Sequence, residues 1–362
     1  MKITHAISDT NIGGAGILLA SLTEGLKNDF DIEVLLPEGS RLPARLPHGI
    51  KVTELPLSPD LSFTPRDVSV FHAYLKAHPT DVLHSHASLS ARIGGRLSGI
   101  RRCISTRHCA YPVARVKKMP LPKRFLYEAS TDLTVSTADF ATENLVRSGL
   151  RAEKIVTIKN GSFDLSGQSA EQSSDITEHL GIPRGKRIIG SVARLERVKG
   201  QDVVLRSARE VLKFFPDVHF VFVGCGSLEN EYRDLSARLG IDKSVTFTGY
   251  VSSPSELQRS FYINVNASRG TETSCLATSE CMSLSIPTVA SSFGGNREMI
   301  KHRENGLIFP TDNVFSLSSA LIELLEDGEL HKRLSLGARR SFEEDFSVDI
   351  MVNRYKTLYR SL

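Results

Sequence analysis

Two cations and two carboxylates in the second half of the chain have side chains that could act together: Arg194, Lys199, Glu272 and Glu280. An arginine and a lysine that follow a strand can neutralise a diphosphate, because guanidinium forms paired hydrogen bonds and ammonium acts as a point charge. Glu272 comes after the apolar run 261–267, and Glu280 falls in the helix predicted next. Open α/β sheets bind ligands at the carboxyl ends of their strands, where both glutamates are expected. The four side chains are therefore candidates to hold a phosphorylated ligand, although each one alone is also explained as a loop or helix residue.

Three glycine-rich turns follow predicted strands. Gly13 and Gly14 precede a predicted helix, whose first amides and partial positive charge favour an anion. Gly224 and Gly226 belong to the second turn, and residues 292–298 form the third. Each turn can cradle a phosphate or simply let the backbone reverse, and the sequence leaves both interpretations open. The first turn does not have GxGxxG spacing, which argues against a dinucleotide site.

Three histidines lie at predicted strand ends. His84 and His86 alternate around Ser85, so both are expected on one side of a strand. A metal site needs a third ligand, and no suitable carboxylate or cysteine is close in sequence, so the pair is interpreted as structural. His108 follows another strand and can donate a hydrogen bond to a sugar hydroxyl or to a developing charge.

Length and composition indicate a soluble globular protein of about two domains, with 362 residues, 40% hydrophobic and 24% charged. No apolar run reaches the ~18 residues of a membrane span, and the N-terminal residues are predicted to form a strand rather than a signal peptide. The odd number of cysteines and the absence of CxxC pairs favour reduced thiols in the cytoplasm. The five are Cys103, Cys109, Cys225, Cys275 and Cys281.

One segment is strongly basic, since residues 82–127 contain no acidic side chain. A field of one sign attracts anionic partners, although a solvated basic face explains it equally well. The cations of this segment are Arg92, Arg96, Arg101, Arg102, Arg107, Arg115, Lys117, Lys118, Lys123 and Arg124.

Short apolar runs alternate with helical patterns along the whole chain, which predicts βαβ units and two doubly wound, Rossmann-like α/β domains. The predicted strands are 2–7, 32–36, 52–56, 82–84, 103–106, 133–136, 155–158, 187–192, 219–223, 245–248, 262–267, 287–290 and 306–309. The polar, serine-rich residues 162–178 are interpreted as a linker. The two domains are therefore predicted to comprise residues 1–165 and 166–345, followed by an amphipathic C-terminal helix at 346–362 that completes the first domain.

Taken in order, these motifs resemble the GT4 family of nucleotide-sugar glycosyltransferases, which have the GT-B fold. The resemblance covers nearly the whole chain and is densest over residues 190–312. Its components are the first glycine turn, Thr106-Arg107-His108, Asn160-Gly161, Arg194 with Lys199, Glu272 with Glu280, Pro287-Thr288-Val289-Ala290, Gly294 to Glu298, and Asn305-Gly306-Leu307. It implies two domains facing a central cleft, with the C-terminal helix crossing back to the first domain.

The family resemblance assigns a role to each candidate. Arg194 and Lys199 would hold the donor diphosphate and stabilise it as the leaving group. Glu280 would accept hydrogen bonds from ribose hydroxyls, and Glu272 would lie near the transferred sugar. The implied reaction retains the anomeric configuration, requires no metal or other cofactor, and depends on electrostatic positioning more than on a strong base.

In the same way, the resemblance implies that the amides of Gly13 and Gly14 face the phosphate or the acceptor. Gly224 and Gly226 would help bind the donor, and His108 would contact the sugar. The expected partners are a nucleotide-sugar donor and a lipid-linked or glycan acceptor, as in cell-envelope polysaccharide synthesis. No nucleic acid is expected, because no recognition motif accompanies the basic stretch.

The basic stretch suggests a location at the membrane surface. We expect the segment from Arg101 to Arg124 to contact an anionic membrane from the cytoplasmic side, because it mixes cations with apolar residues.

One departure from the family pattern is visible. Thr273-Ser274-Cys275 stands where the family usually has a small-aromatic-glycine run after its first glutamate, which puts the donor's identity in doubt. A sugar-nucleotide epimerase or hydrolase of the same fold, and a catalytically degenerate partner subunit, remain alternatives.

Overall fold

A computed structural model describes residues 1–10, 13–167 and 177–362. Residues 11 and 12 of the first glycine turn and residues 168–176 of the predicted linker lie outside this description. The chain divides into a first unit, Met1–Gly161 with Val348–Leu362, and a second unit, Ser162–Ser347. The boundaries predicted from the sequence, at 165/166 and 345/346, lie four and two residues away from these.

The first unit contains one parallel sheet, which has seven strands in the described residues, in the order β3-β2-β1-β4-β5-β6-β7. Its strands are β1 (Lys2–Ile7), β2 (Asp31–Pro37), β3 (Lys51–Leu55), β4 (Val82–His86), β5 (Cys103–Arg107), β6 (Leu133–Ser136) and β7 (Ile155–Thr157). Its helices are α1 (Gly14–Leu26), α2 (Pro65–Ala77), α3 (Leu89–Leu97), α4 (Leu121–Ser130) and α5 (Asp139–Arg147). The strand order reverses direction between β1 and β4.

The second unit contains a parallel sheet with six described strands in the order β10-β9-β8-β11-β12-β13. These are β8 (Arg187–Val192), β9 (Val218–Val223), β10 (Val245–Phe247), β11 (Phe261–Asn266), β12 (Thr288–Ser291) and β13 (Gly306–Phe309). The helices are α6 (Gln201–Val211), α7 (Glu229–Arg238), α8 (Pro254–Gln258), α9 (Leu276–Ser283), α10 (Asn296–Met299), α11 (Val314–Glu326) and α12 (Gly328–Ser341). Here the order reverses between β8 and β11.

Continuous apolar runs form these strands because helices cover both sheet faces. In β9, for example, successive residues Phe220, Val221, Phe222 and Val223 are all buried, so there is no polar alternation. The prediction of two doubly wound α/β domains is confirmed. None of the described helices combines the length and the apolar character needed to cross a membrane.

The last helix, α13 (Val348–Ser361), belongs to the first unit, as predicted for a chain that crosses back. Tyr355 and Tyr359 bury their rings in the core of that unit. Gly25 of α1 admits the helix at close range, since a Cβ built there would lie 2.4 Å from Val352 Cγ2. The helix starts two residues later than predicted, because Phe346 ends a π-helical turn, Phe342–Phe346, of the second unit.

Candidate active site

The second sheet brings two of the predicted residues into direct contact at its topological switch point. Lys199 ends a short 3-10 helix, Arg197–Lys199, that follows β8, and Glu272 lies in the loop after β11. Because β8 and β11 are neighbours whose connections leave in opposite directions, a crevice is expected where they end. The Nζ of Lys199 lies 2.8 Å from Oε2 of Glu272 across it.

This ion pair is mostly removed from solvent, with side-chain exposures of 17% for Lys199 and 8% for Glu272. Burial alone would lower the pKa of Lys199, but the adjacent Glu272 carboxylate outweighs it and the pKa is raised. The hydroxyl of Ser268 also donates to Oε2 of Glu272, at 2.7 Å. The pair is therefore charged and held in place, and its lysine is positioned to exchange a carboxylate for a phosphate oxygen.

Arg194 lies after the same strand as Lys199, and its side chain is exposed. Its positive charge acts against protonation of Lys199, which means that the two cations share one local field. None of the ion pairs found in the described parts of the chain involves Arg194. The backbone is fixed, however, because Gln201 donates a hydrogen bond to the carbonyl oxygen of Arg194 at 2.8 Å. Backbone and side-chain hydrogen bonds from Ser227 lower the pKa of Glu196, and the charge of Arg194 also contributes to lowering it. An exposed guanidinium next to a buried ammonium is suited to a multiply charged anion.

The loop that carries Glu272 contains an unusual backbone conformation. Thr271 has a φ of 63°, in the left-handed region that β-branched residues rarely adopt. Gly295 packs so closely on the loop that an added Cβ would lie 2.0 Å from the carbonyl oxygen of Thr273. The third glycine turn therefore positions the Glu272 loop by close backbone contact. Backbone strain of this kind is concentrated at functional sites.

Glu280 lies in α9, eight residues beyond Glu272. Burial raises the pKa of Glu280 to about 7, and a hydrogen bond from Gln258 offsets only part of that effect. A carboxylate in such a position gains from hydroxyl donors, which stabilise its ionised form. The α9 helix begins at Leu276, and its first amides have no intrahelical carbonyl to bind.

The two glycines after β9 have a structural explanation. Gly224 has a φ of 129°, and an added Cβ would lie 2.4 Å from the carbonyl oxygen of Ala193. At Gly226 the corresponding atom would lie 2.3 Å from the carbonyl oxygen of Leu195. Packing of two neighbouring loops is thus sufficient reason for both glycines, and their contact with a donor stays a prediction.

Gly13 and Gly14 differ from these, because a Cβ added at either would meet nothing within 4 Å. Both are exposed, and Gly13 caps the N-terminus of α1 in an extended conformation. Neither packing nor a positive φ explains these glycines. Open space above helix amides is what close approach of an anionic ligand requires.

His108 is the last member of a buried row of imidazoles in the first unit. Nε2 of His108 lies 3.0 Å from Nδ1 of His86, and Nε2 of His86 lies 3.1 Å from Nδ1 of His5. His84 stacks beside His86, with ring centroids 4.8 Å apart. The prediction that His84 and His86 share one side of their strand is confirmed. We call His5, His84, His86 and His108 the histidine stack.

The fold brings a further histidine, His5, next to His84 and His86, which the sequence analysis did not consider as a third ligand. His5 pairs with His84 in the β1–β4 register, and nitrogens of His5, His84 and His86 lie within 4.8 Å of one another. Both nitrogens of His84 are nevertheless engaged, each at 2.6 Å, by Tyr359 and Thr106. A metal ion would have to displace these partners, so the geometry favours a hydrogen-bonded stack.

Burial sets the protonation of the histidine stack. It lowers the pKa of His5 to about 3 and of His108 to about 4, so both are neutral near pH 7. Nε2 of His5 has no hydrogen-bond partner among the described residues. A bare acceptor costs less there than an unpaired N–H, so the favoured tautomer of His5 donates from Nδ1 to His86. His86 in turn donates from Nδ1 to Nε2 of His108, which leaves the His108 proton on Nδ1.

Sequence reasoning missed Ser268, Thr271 and His5. The serine and the threonine lie beside Glu272 in the sequence, but only the fold shows a hydroxyl bonded to the carboxylate and a φ of 63°. His5 could have been found from the strand-order rule for doubly wound sheets, which makes β1 and β4 neighbours.

Two family models match the chain. "Glycosyltransferase Family 4" matches residues 12–162, and "Glycosyl transferases group 1" matches residues 172–341, so together they span most of both units. The chain belongs to glycosyltransferase family 4.

Curated relatives of this glycosyltransferase agree with the assignment. The N-acetyl-alpha-D-glucosaminyl L-malate synthase of Bacillus anthracis is 26% identical over 63% of this chain and 65% of its own length. The D-inositol 3-phosphate glycosyltransferase of Corynebacterium aurimucosum is 25% identical over 77% of this chain and 71% of its own length. The chain is thus similar to two enzymes whose names give different substrates.

A solved structure shares the fold along the entire chain. Anabaena Alr3699/HepE, crystallised in complex with UDP, superposes with a TM-score of 0.85 and 21% identity, covering 100% of both chains. The glycosyltransferase therefore has the GT-B fold, as the sequence predicted.

Proposed function

We propose that this glycosyltransferase moves a sugar from a nucleotide-diphosphate sugar to a lipid-linked or glycan acceptor, with retention of anomeric configuration. The observation that carries the proposal is the Lys199–Glu272 pair at the switch point of the second sheet. Lys199 and Arg194 offer two positive charges to a diphosphate, and Glu280 offers a carboxylate to hydroxyl groups. The fold relative HepE was crystallised with UDP and with UDP-glucose, which supports a donor of this class.

The chemistry follows from the charges. As the bond between the sugar's anomeric carbon and the diphosphate oxygen of the donor breaks, negative charge develops on the diphosphate. A cation already in place stabilises that charge more than it stabilises the ground state. Lys199 can shift from Glu272 to a phosphate oxygen over a short distance, since the two side chains are in contact. Glu272 would then be left beside the sugar, where it would stabilise developing positive charge. None of these steps calls for a metal ion or another cofactor.

His108 would act as a donor to the sugar or the acceptor from the first unit. The row of hydrogen bonds through His86 favours a neutral ring with its proton on Nδ1. A neutral donor binds a hydroxyl or a phosphate oxygen without consuming a proton near pH 7.

The acceptor side of the proposal includes peripheral contact with an anionic membrane. Leu121 and Phe125 lie four residues apart on α4 and are 78% and 76% exposed. Leu121 lies in the basic segment, Arg101 to Arg124, and Phe125 directly follows it. Apolar side chains next to cations favour an anionic bilayer surface. We expect co-sedimentation with vesicles that contain phosphatidylglycerol, and loss of it when Leu121 and Phe125 are both changed to serine. Equal sedimentation of the two proteins would contradict the membrane contact.

Product analysis tests the enzymatic proposal. Purified protein is incubated with a panel of nucleotide sugars, with and without candidate acceptors, and products are followed by NMR. Transfer with the donor's anomeric configuration, abolished in Glu272→Gln and retained in Glu210→Gln, is the expected result. Glu210 is a matched control because it forms an ion pair with Lys213 on the surface of the same unit. Inverted product would contradict retention, and isomerised or hydrolysed donor with every acceptor would favour the epimerase or hydrolase alternative.

A further inference from the structure

A cavity of unusual charge lies entirely within the first unit. It has a volume of about 460 Å³ and is lined from α3, α4, α5, the end of β5 and the segment between β5 and α4. Among the described residues, no acidic side chain lines it, and apolar side chains such as Met119 and Leu145 complete the wall. Six cations line it: Arg92, Arg107, Arg115, Lys117, Lys118 and Lys123.

Arg92 is the most informative of these cations, because it is only 2% exposed. Its guanidinium lies 4.6 Å from the ring centroid of Tyr127 and donates from Nη1 to the hydroxyls of Ser85 and Ser105. Its Nε has no hydrogen-bond partner among the described residues. A buried cation without a counter-ion carries a desolvation cost of several kcal/mol.

A second donor in the same wall is also unsatisfied. Asn144 accepts a hydrogen bond from the amide of Tyr111 at 2.7 Å, but its Nδ2 is buried without a partner in the described chain. The wall therefore presents surplus donors and surplus positive charge, and buried polar groups of this kind are normally satisfied. The missing component is an acceptor that carries negative charge.

Some neighbouring cations outside the cavity wall are ion-paired. Arg96 pairs with Asp132, and Arg124 and Arg151 both pair with Glu128. Within the described residues, none of the six cations of the cavity takes part in an ion pair. The cavity therefore brings together six cations whose charge no described carboxylate neutralises by direct contact.

We propose that this cavity is the acceptor site of the glycosyltransferase and binds the phosphate group of a phosphorylated acceptor, with Arg92 at its base. Identifying the bound molecule as the acceptor rests on the proposed function. The phosphate site itself is argued from the geometry of the cavity alone. Several cations around one cavity suit a doubly charged phosphate, and an arginine fork bonds two of its oxygens. The volume falls in the range of small-molecule sites. The apolar wall would hold the part of the acceptor next to the phosphate.

The test compares phosphate binding by three variants of the full chain. Arg92→Met removes the charge at nearly constant volume, Arg92→Lys keeps it, and Arg96→Met removes a neighbouring, already paired arginine of the same helix. Glycerol 3-phosphate serves as the soluble probe, measured by calorimetry, and phosphatidylcholine vesicles with phosphatidic acid serve as the lipid probe, measured by co-sedimentation.

The expected result is roughly tenfold to hundredfold weaker binding of at least one probe in Arg92→Met, with Arg96→Met unchanged and Arg92→Lys between them. If only the binding of glycerol 3-phosphate depends on Arg92, the acceptor is a soluble phosphorylated molecule. If the binding of phosphatidic acid vesicles depends on Arg92, the acceptor is lipid-linked. Arg92→Met should not lower the melting temperature, because an apolar replacement removes an uncompensated buried charge. A solely structural arginine would give the opposite result.

Two outcomes would overturn the proposal. One is that wild-type protein binds neither probe. The other is that Arg92→Met binds both as well as the wild type does, which would attribute any vesicle binding to surface charge. Titration of the same variants with nucleotide sugars separates this site from the donor site, since Arg92→Met should leave donor affinity unchanged. Failure of donor binding in every protein would contradict the proposed function without affecting the phosphate site.

Discussion

Lowering the pH from about 7.5 to about 5 should weaken the first unit through its histidine stack. In the second unit burial lowers the pKa of His219 to about 4, which has an effect of the same sign. Burial lowers the pKa of His5 to about 3 and of His108 to about 4, and it holds the pKa of His84 and His86 well below the ordinary value. In the unfolded chain each histidine titrates near 6.5. At pH 5 the unfolded chain therefore binds protons that the folded unit excludes.

The sign and size of the effect follow from proton linkage. Stability falls with decreasing pH wherever the unfolded state binds more protons, which for these groups is the window between about 4 and 6.5. His5 and His108, with pKa values of about 3 and about 4, each contribute about 2 kcal/mol at pH 5. Together they contribute about 4 kcal/mol, a large part of the roughly 5–15 kcal/mol of a typical domain, and His84 and His86 act in the same direction.

Other ionisable groups should not obscure the effect. Burial opposes ionisation of Glu33, but hydrogen bonds from Lys51, Tyr74 and Lys2 outweigh it and lower its pKa to about 2. The stability that Glu33 contributes is therefore lost only below about 4.5, outside the histidine window. Arg107 is the cation whose charge further lowers the pKa of His108.

Hydrogen exchange at increasing urea concentration, read on peptides that cover β1 and β4, measures the unfolding free energy of the first unit alone. The loss of unfolding free energy between about pH 7.5 and 5 should be about 2 kcal/mol smaller in His5→Leu, because the unfolded variant binds one proton fewer. His48→Gln is the control, because His48 is exposed in the same unit. A wild-type loss below about 1 kcal/mol, or an identical loss in His5→Leu, would refute the reasoning.

Three further results are expected. Lys199→Met should lower the unfolding free energy of the second unit by about 3 kcal/mol, because it leaves the Glu272 carboxylate buried and unpaired; urea denaturation should show most of this loss recovered in Lys199→Met/Glu272→Leu. Donor affinity should rise as pH increases towards about 7 and then level off, because burial raises the pKa of Glu280 to about 7 and hydroxyl donors favour its ionised form; calorimetry on Glu280→Gln should show no such rise. Gly25→Leu should destabilise the first unit by about 1–3 kcal/mol in the same denaturation assay, because the C-terminal helix occupies that space. Gly328→Ala, where an added Cβ meets nothing within 4 Å, should have little effect.

The strands could be predicted because burial on both faces produces continuous apolar runs. β1, β6, β8 and β13 have the predicted bounds, and the others differ by a residue or two. Lys199 and Glu272 could be chosen separately, since each follows a strand, and sheet order then explains why they meet.

Contacts between distant segments are harder to predict from the sequence. The strand-order rule makes β1 and β4 neighbours, but the register that sets His5 beside His84 follows only from the fold. The positive φ of Thr271 depends on loop packing, because a threonine has no intrinsic preference for it. Arg92 was visible only as one of many basic residues, since its burial arises from the packing of α3 against neighbouring elements.

We propose that Lys199 holds a donor diphosphate at the edge of the second sheet. Calorimetric titration of wild-type protein, Lys199→Gln and Lys213→Gln with a panel of nucleoside diphosphates and their sugars tests it most directly. Lys213 forms an exposed ion pair with Glu210 in the same unit and is the matched control. We expect binding of one nucleotide family, about tenfold to hundredfold weaker in Lys199→Gln and unchanged in Lys213→Gln. Equal affinity in all three proteins, or no binding by the wild type, would contradict it.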